Sequence, residues 1–515
     1  MNVGFIARHL KRLDDQCQTW SDQTNAVLIK ESRQALKSRQ FLITFSILLL
    51  VAFGVTVAGS LMLMPGIYTE PSAKPMLYAY LATLGVPMLL IVPLSAHRSV
   101  ESEIDDGTLE LLSITSMSPW QIVWGKTATA VLQMMLYFVA LLPCLAFAFT
   151  LRGIALDSLL LAVLMLALAG WLLVCIAIAI APLASARRGR IATLLPLLLL
   201  LGLTEFGVGS AIVALFEREW ILSPFETIHT GIAGAIASIS LGIFALILAA
   251  TQLQPSTENR SSLIRWSLMA VTTIGVGLAA SGIYAVEAGA ITLALGFITL
   301  MLIWGGATPM LAAESGVMTA RISRELPQTF LERVCLTWLT PGPGTGLVFA
   351  GAHLVTICSV GRLLLFRFQE LHSNDISRSD VRFVSDAMTL SASYILFYSV
   401  GAYVLIGFIR RYQSVRVEIG LAGAITLATA GVLVPYFFEG YANDFREFSY
   451  SGWQITNAPW TIIHRSMSTS MPAQIVLIWL MTGLGIALVV LSERGLFRPR
   501  RIAEPERVRQ ERQSV

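Results

Sequence analysis

Residues 41–64 read FLITFSILLLVAFGVTVAGSLMLM and carry no charged side chain. A helix crossing the hydrocarbon core of a bilayer needs about 20 apolar residues, and this stretch supplies them. Outward along the chain the same reading repeats at 76–95, 127–149, 159–182, 191–214, 231–250, 266–284, 288–312, 345–366, 386–409, 419–438 and 473–491. Twelve spans would leave both termini on one side. Composition agrees: of 515 residues, 55% are hydrophobic and 13% charged, and the mean hydropathy is +0.70. Soluble chains carry about 25% charge. A water-soluble multidomain protein is therefore excluded, and so is a disordered or fibrous one. The expected fold class is all-α: a polytopic integral membrane protein of about twelve transmembrane helices in two pseudo-repeated six-helix halves.

Charge placement orients the spans. With both termini cytoplasmic, 27 of the 36 Lys and Arg residues fall on the cytoplasmic side, as the positive-inside rule requires. RRGR at 187–190, RRYQSVR at 410–416 and RPRR at 498–501 carry much of that bias. Most tryptophans sit at span ends or in loops, as interfacial anchors do. The net charge of +4 is small and does not point to nucleic acid, and the five cysteines imply no disulfide framework. No apolar run precedes Phe41, so no cleavable signal is expected. Residues 1–40 read as cytoplasmic amphipathic helices. Val3, Ile6, Leu10, Leu13, Cys17 and Trp20 form one stripe, and Asn25 can cap a second, basic helix running toward Arg39. The tail 492–515 reads as charged and cytoplasmic.

The loop after the second span, 96–126, holds an ordered string. An acidic run, Glu101, Glu103, Asp105 and Asp106, leads to Gly107, which permits a turn. Thr108-Leu109-Glu110-Leu111-Leu112 then reads as a short helix with acidic residues at its favourable end. Ser118-Pro119-Trp120-Gln121 is a capping box with proline at the first helical position, so a new helix starts there. Leu109 and Leu112 share a face with no partner inside so short a loop, and such a helix wants a partner protein.

The string Glu-x-Glu-x-x-x-Gly-Thr-Leu-Glu-Leu-Leu, then Ser-Pro, then Gly125-Lys126 entering a span, resembles the membrane subunit of type-2 ATP-binding-cassette (ABC) transporters. The basic segment VLIKESRQALKSRQ at 27–40 matches that family too. The resemblance is strong over 25–130 and extends to about 250. It implies a coupling helix, over 101–114, docked on a separate ATPase subunit, itself a dimer. Glu101, Glu103, Asp105, Gly107, Thr108, Leu109, Glu110 and Leu112 would form the contact. ATP and Mg would be bound by that partner, with no cofactor in this chain. Trp124-Gly125-Lys126-Thr127 looks like the end of a phosphate-binding loop, but Trp120 stands where the first glycine belongs.

Family members usually have six spans, and this chain has two sets. SPFETIHT at 223–230 and APWTIIHR at 458–465 match at a constant offset, each before the sixth span of a half. A tandem duplication is expected, with halves at 41–250 and 266–491 joined by a linker at 251–265. The loop 313–344 occupies the coupling loop's place in the second half but lacks its leucine string.

Glu205 and His353 are the candidate intramembrane polar sites. For Glu205 the simpler expectation is a span that ends early, so that the carboxylate meets water. For His353 it is a satisfied bundle histidine. His229 and His464 are better explained by duplication than by a metal. No catalytic residue or metal site is expected, and HExxH, Cys–His zinc spacing and Gly-x-Ser-x-Gly are all missing from the sequence. The expected function is a multi-pass permease subunit in the cytoplasmic (inner) membrane, exporting an unidentified substrate. The alternatives are an ion-gradient-driven secondary transporter and a non-transporting membrane protein coupled to an ABC ATPase.

Overall fold

A computed structural model describes residues 26–64, 66, 70–107, 118–183, 187–217, 223–255, 258–284, 287–315, 329, 331–332, 336–372, 378–410, 417–444, 446, 450–467, 479–480 and 482–487. Among them there is helix and no strand, and the chain is an all-α polytopic membrane protein. Helix is the form an apolar segment takes in lipid, because it satisfies every backbone group internally. Among the described residues, eleven helices are long and apolar enough to cross a membrane, and they overlap the first eleven stretches read from hydropathy. The twelfth, 473–491, lies for the most part outside the described residues. The stripe at 3–20, the cap Asn25 and the tail 492–515 also lie outside them. The chain divides into two units, Met1–Gln254 and Pro255–Val515.

In the first unit, α1 (Ala26–Lys37) precedes α2 (Arg39–Leu63). The break between them is Ser38, whose side chain caps α2 by accepting from the Phe41 amide. The second span is one continuous column: α3 (Ala73–Gly85), a π-turn (Val86–Ile91) and α4 (Val92–Asp105). Pro87 opens the wide turn and Pro93 follows it. Each proline removes an amide donor, and the wider helix accommodates the misfit. Then follow α5 (Pro119–Thr150), α6 (Leu156–Ile180), α7 (Arg187–Phe216) and α8 (Pro224–Leu253). The core gathers on the second, third and fourth spans: Leu77, Tyr80, Leu84, Leu89, Leu141, Val174 and Ile178 are almost fully enclosed. α2, by contrast, leaves Leu50, Phe53, Leu61 and Met62 exposed, a face suited to lipid.

The second unit contains α9 (Arg260–Gly282), α10 (Glu287–Ala312), α11 (Pro343–Leu371), α12 (Arg378–Ile409), α13 (Glu418–Ala442) and the short α14 (Ala458–Met467). α10 packs against α9, α11, α12 and α13. Its fully buried Trp304 donates from Nε1 to Thr272 on α9 at 3.0 Å.

Several expected loops are shorter than hydropathy implies. The second span's helix runs to Asp105 and the third begins at Pro119, so helix covers much of 96–126. The Ser118 capping box is present in both directions, with Ser118 N donating to Gln121 Oε1 at 2.9 Å. Ser223 builds the same box with Glu226, starting α8 at Pro224 rather than at 231. The stretch after α13 is also structured: a tight turn, Gly452–Thr456, leads to α14, and Asn457 Oδ1 accepts from the Trp460 amide at 3.2 Å.

Candidate functional site

α1 is amphipathic by sequence. Lys30, Arg33, Gln34 and Lys37 point outward, whereas Leu28, Ile29, Glu31, Ser32, Ala35 and Leu36 are half-buried. The inward face packs on α5, and Glu31 is the acidic residue on it. It meets a cation there. Lys126, on the first turns of α5, has a side chain only 2% exposed. Its Nζ lies 2.7 Å from Ser99 Oγ, 3.1 Å from Glu103 Oε1 and 3.3 Å from Glu31 Oε1. Ser99 Oγ also lies 3.3 Å from Glu31 Oε2. One ammonium thereby joins three helices: α1, the end of α4 and the start of α5. Lys30 stands 4.0 Å from Glu103 at the rim and brings a second positive charge to the two carboxylates.

This knot frames residues 106–118. Of the expected partner-contact residues, Glu103 faces Lys126. Glu101 is half-buried and Asp105 is exposed, both on α4. Gly107 adopts φ +66°, the left-handed turn that glycine favours. Thr108, Leu109, Glu110 and Leu112 lie outside the described residues. Beyond the knot, His97 on α4 is buried with Nδ1 3.0 Å from the Ala177 carbonyl on α6. Gln252 on α8 donates to the Ala179 carbonyl at 3.2 Å. Short polar contacts thus tie α1, α4 and α5 to one another at the Lys126 cluster, and α4 to α6 through His97.

Lys126 itself is absent from the contact set read from sequence. The tell-tale was there: a single lysine on an otherwise apolar helical start, with acidic residues at Glu31, Glu101 and Glu103 to receive it. Trp124–Thr127 does not form a phosphate-binding loop. These residues lie inside a regular helix, and Thr127 is buried with its hydroxyl on the Val123 carbonyl.

The second unit has a buried ion-pair cluster of its own, which ties its first span to residues after the second and at the start of the third. Arg265 on α9 is fully buried. Its guanidinium donates to Glu314 Oε2 at 2.6 Å, Trp338 O at 2.6 Å, Gly342 O at 3.1 Å and Thr345 Oγ1 at 3.1 Å. Glu314 further accepts from Ser261 Oγ at 2.5 Å and the Gly342 amide at 2.7 Å. Gly342 sits at φ 144°, which the Pro-Gly-Pro-Gly break makes possible.

Glu205 corrects the expectation of an early span end. α7 continues to Phe216, so the carboxylate lies at the midpoint of the apolar segment Leu194–Phe216. It rests against Gly85, where the π-turn begins. A Cβ at position 85 would stand 2.7 Å from Glu205 Oε1. His353 has the place of a packed bundle residue: its ring lies 4.2 Å from Phe349 and 5.0 Å from Trp304, and Nδ1 is 2.9 Å from the Phe349 carbonyl. His229 stacks on Phe225 and His464 on Tyr450.

No family model, curated protein or solved structure matches the chain.

Proposed function

We propose that this chain is the permease subunit of a type-2 ABC transporter, an exporter of the cytoplasmic membrane. Its motor is a separate ATPase subunit that binds ATP and Mg. The observation that carries the reading is the buried Lys126 knot. A loop with no mechanical duty has no need for an enclosed ion-pair cluster at its root, since removing charges from water is costly. A lever does need one, because force applied at 106–118 must turn three helices together. The GTLELL string supplies the gripped surface, with Leu109 and Leu112 buried in the partner and the acidic residues at its edge. The chain itself contributes no catalytic group. The second cluster, at Arg265 and Glu314, is wired differently, with its cation on the first span of its unit, and it lends the expected tandem duplication no direct support.

The test is purification of the full chain from its native membranes, with identification of co-purifying proteins by mass spectrometry. An ABC ATPase should accompany the wild type and be lost on Leu109→Asp while the variant stays monodisperse. An unchanged set of partners in the variant would refute the lever. A second reading, an ion-gradient-driven transporter, is favoured by Glu205 at the middle of its span. It requires substrate movement into vesicles with an imposed gradient and no ATP.

A further inference from the structure

Glu31 on α1 pairs with Lys126 on α5, and the Phe41 and Phe45 rings on α2 lie 5.5 Å and 6.3 Å from the Tyr137 ring on the same helix. Ten residues separate Glu31 from Phe41 and eleven separate Lys126 from Tyr137, which is about 15 Å and 16 Å of helix. α1 therefore runs alongside α5, and α2 continues the same course beyond the Ser38 break. The side that α1 turns away from α5 leads into the side that α2 turns away from it. On α2 that outward side is apolar, with Ile43, Ile47 and Leu50 exposed by 59%, 55% and 73%. On α1 it is basic. Lys30, Arg33 and Lys37 recur at steps of three and four, which places them on one helical face. All three are exposed, and so is Arg39 in the first turn of α2.

The bilayer decides what meets each part of this surface. The uncharged stretch 41–64 meets hydrocarbon. The apolar stretch of α5 begins just after Lys126, so residues level with Lys126 stand where hydrocarbon gives way to headgroups. Lys and Arg a turn or two further in bring their charges back to that level on long apolar stems. The group that a bilayer offers there is lipid phosphate. The basic face itself holds no acid, because the one acidic residue of α1, Glu31, points at α5. Lys30 stands 4.0 Å from Glu103, whereas among the described residues Arg33, Lys37 and Arg39 have no acidic partner. A zwitterionic headgroup carries its own cation beside the phosphate and gains little from three more. An anionic phospholipid has no such cation and gains from all three.

We propose that Arg33, Lys37 and Arg39 bind the phosphates of anionic phospholipids in the leaflet that meets α1, which clamps this helix between lipid on one face and α5 on the other. The site belongs to this chain alone and does not rest on the ATPase partner. Its test is amide hydrogen exchange over residues 26–37 of the full chain, in phosphatidylglycerol nanodiscs and in phosphatidylcholine nanodiscs. Wild type is compared with the triple variant Arg33→Gln, Lys37→Gln, Arg39→Gln. In phosphatidylglycerol the wild type should exchange at least about tenfold more slowly than the variant. In phosphatidylcholine the two should match, which shows that the variant still docks α1 on α5. The charge-keeping variant Arg33→Lys, Arg39→Lys should retain most of the protection. Raising the salt from about 0.1 M to about 1 M should remove most of it, because the Debye length falls from about 10 Å to about 3 Å. Equal rates for wild type and triple variant in phosphatidylglycerol overturn the proposal. So does a gap of the same size in both lipids, the mark of a face covered by protein or of a weakened helix. Inorganic phosphate that reproduces the protection in phosphatidylcholine also overturns it, since the anion is then a soluble one.

Discussion

Replacing Lys126 with methionine keeps most of the side chain's volume and removes the ammonium that bonds Ser99, Glu31 and Glu103. Breaking a buried ion pair from one side costs about 3–5 kcal/mol, because the abandoned charges stay where they are. Here Glu31 and Glu103 retain 13% and 14% exposure and Lys30 is near Glu103, so the lower end applies, about 3 kcal/mol. At 1.4 kcal/mol per tenfold, that is about a hundredfold in a local opening equilibrium. The helix that should open is α1, which the knot holds against α5. The assay is amide hydrogen exchange on the full chain in nanodiscs: residues 26–37 should exchange about a hundredfold faster, while the core of α6 keeps its protection. Adding Glu31→Gln and Glu103→Gln should restore most of the protection, since removing both sides of a polar pair is far less damaging than removing one. The reasoning fails if α1 exchanges at the wild-type rate in Lys126→Met. It also fails if the glutamine substitutions deepen the loss.

At the other end of the first unit, Glu217 accepts hydrogen bonds from Lys74 at 2.8 Å and Tyr78 at 2.9 Å, which hold its carboxyl below the ordinary carboxylate range. A lowered pKa contributes stability that is complete above the unfolded-state value and is lost as pH falls through the folded-state value. The melting temperature of the wild type should therefore exceed that of Glu217→Gln at neutral pH, and the gap should close in acid; a gap that widens there refutes the pairing. In the second unit, Arg265→Lys keeps the charge but leaves buried acceptors unpaired, and should destabilise by about 1–3 kcal/mol, because an ammonium cannot reach four acceptors from one fork. Thermal unfolding of the full chain checks this, and a wild-type profile contradicts it.

The spans were legible because hydropathy reports what lipid demands, and α2, α6 and α10 follow it closely. Hydropathy stops where charges begin, near Leu94, whereas α4 continues to Asp105 because Ser99 and Glu103 are bonded on its inner face. For the same reason the start of α5 was read late from hydropathy, although the Ser118 box announced it. The π-turn was not anticipated; its trace was the pair Pro87 and Pro93 within one span. The Lys126 cluster was half-legible. The acidic run is visible in sequence order, whereas the role of Lys126 is not, because an ion pair between residues 95 apart leaves no local pattern.

The two knots draw their cation from different places: the third helix of the bundle in one unit, the first in the other. Each is locked to its own wiring. A chimera that carried the start of α11 into the first unit would strand two acids, and one that carried the start of α2 into the second would orphan Glu314. In either unit, changing the cation or an acid alone leaves an uncompensated charge indoors, so each cluster can change only by paired substitution while the surfaces around it vary freely.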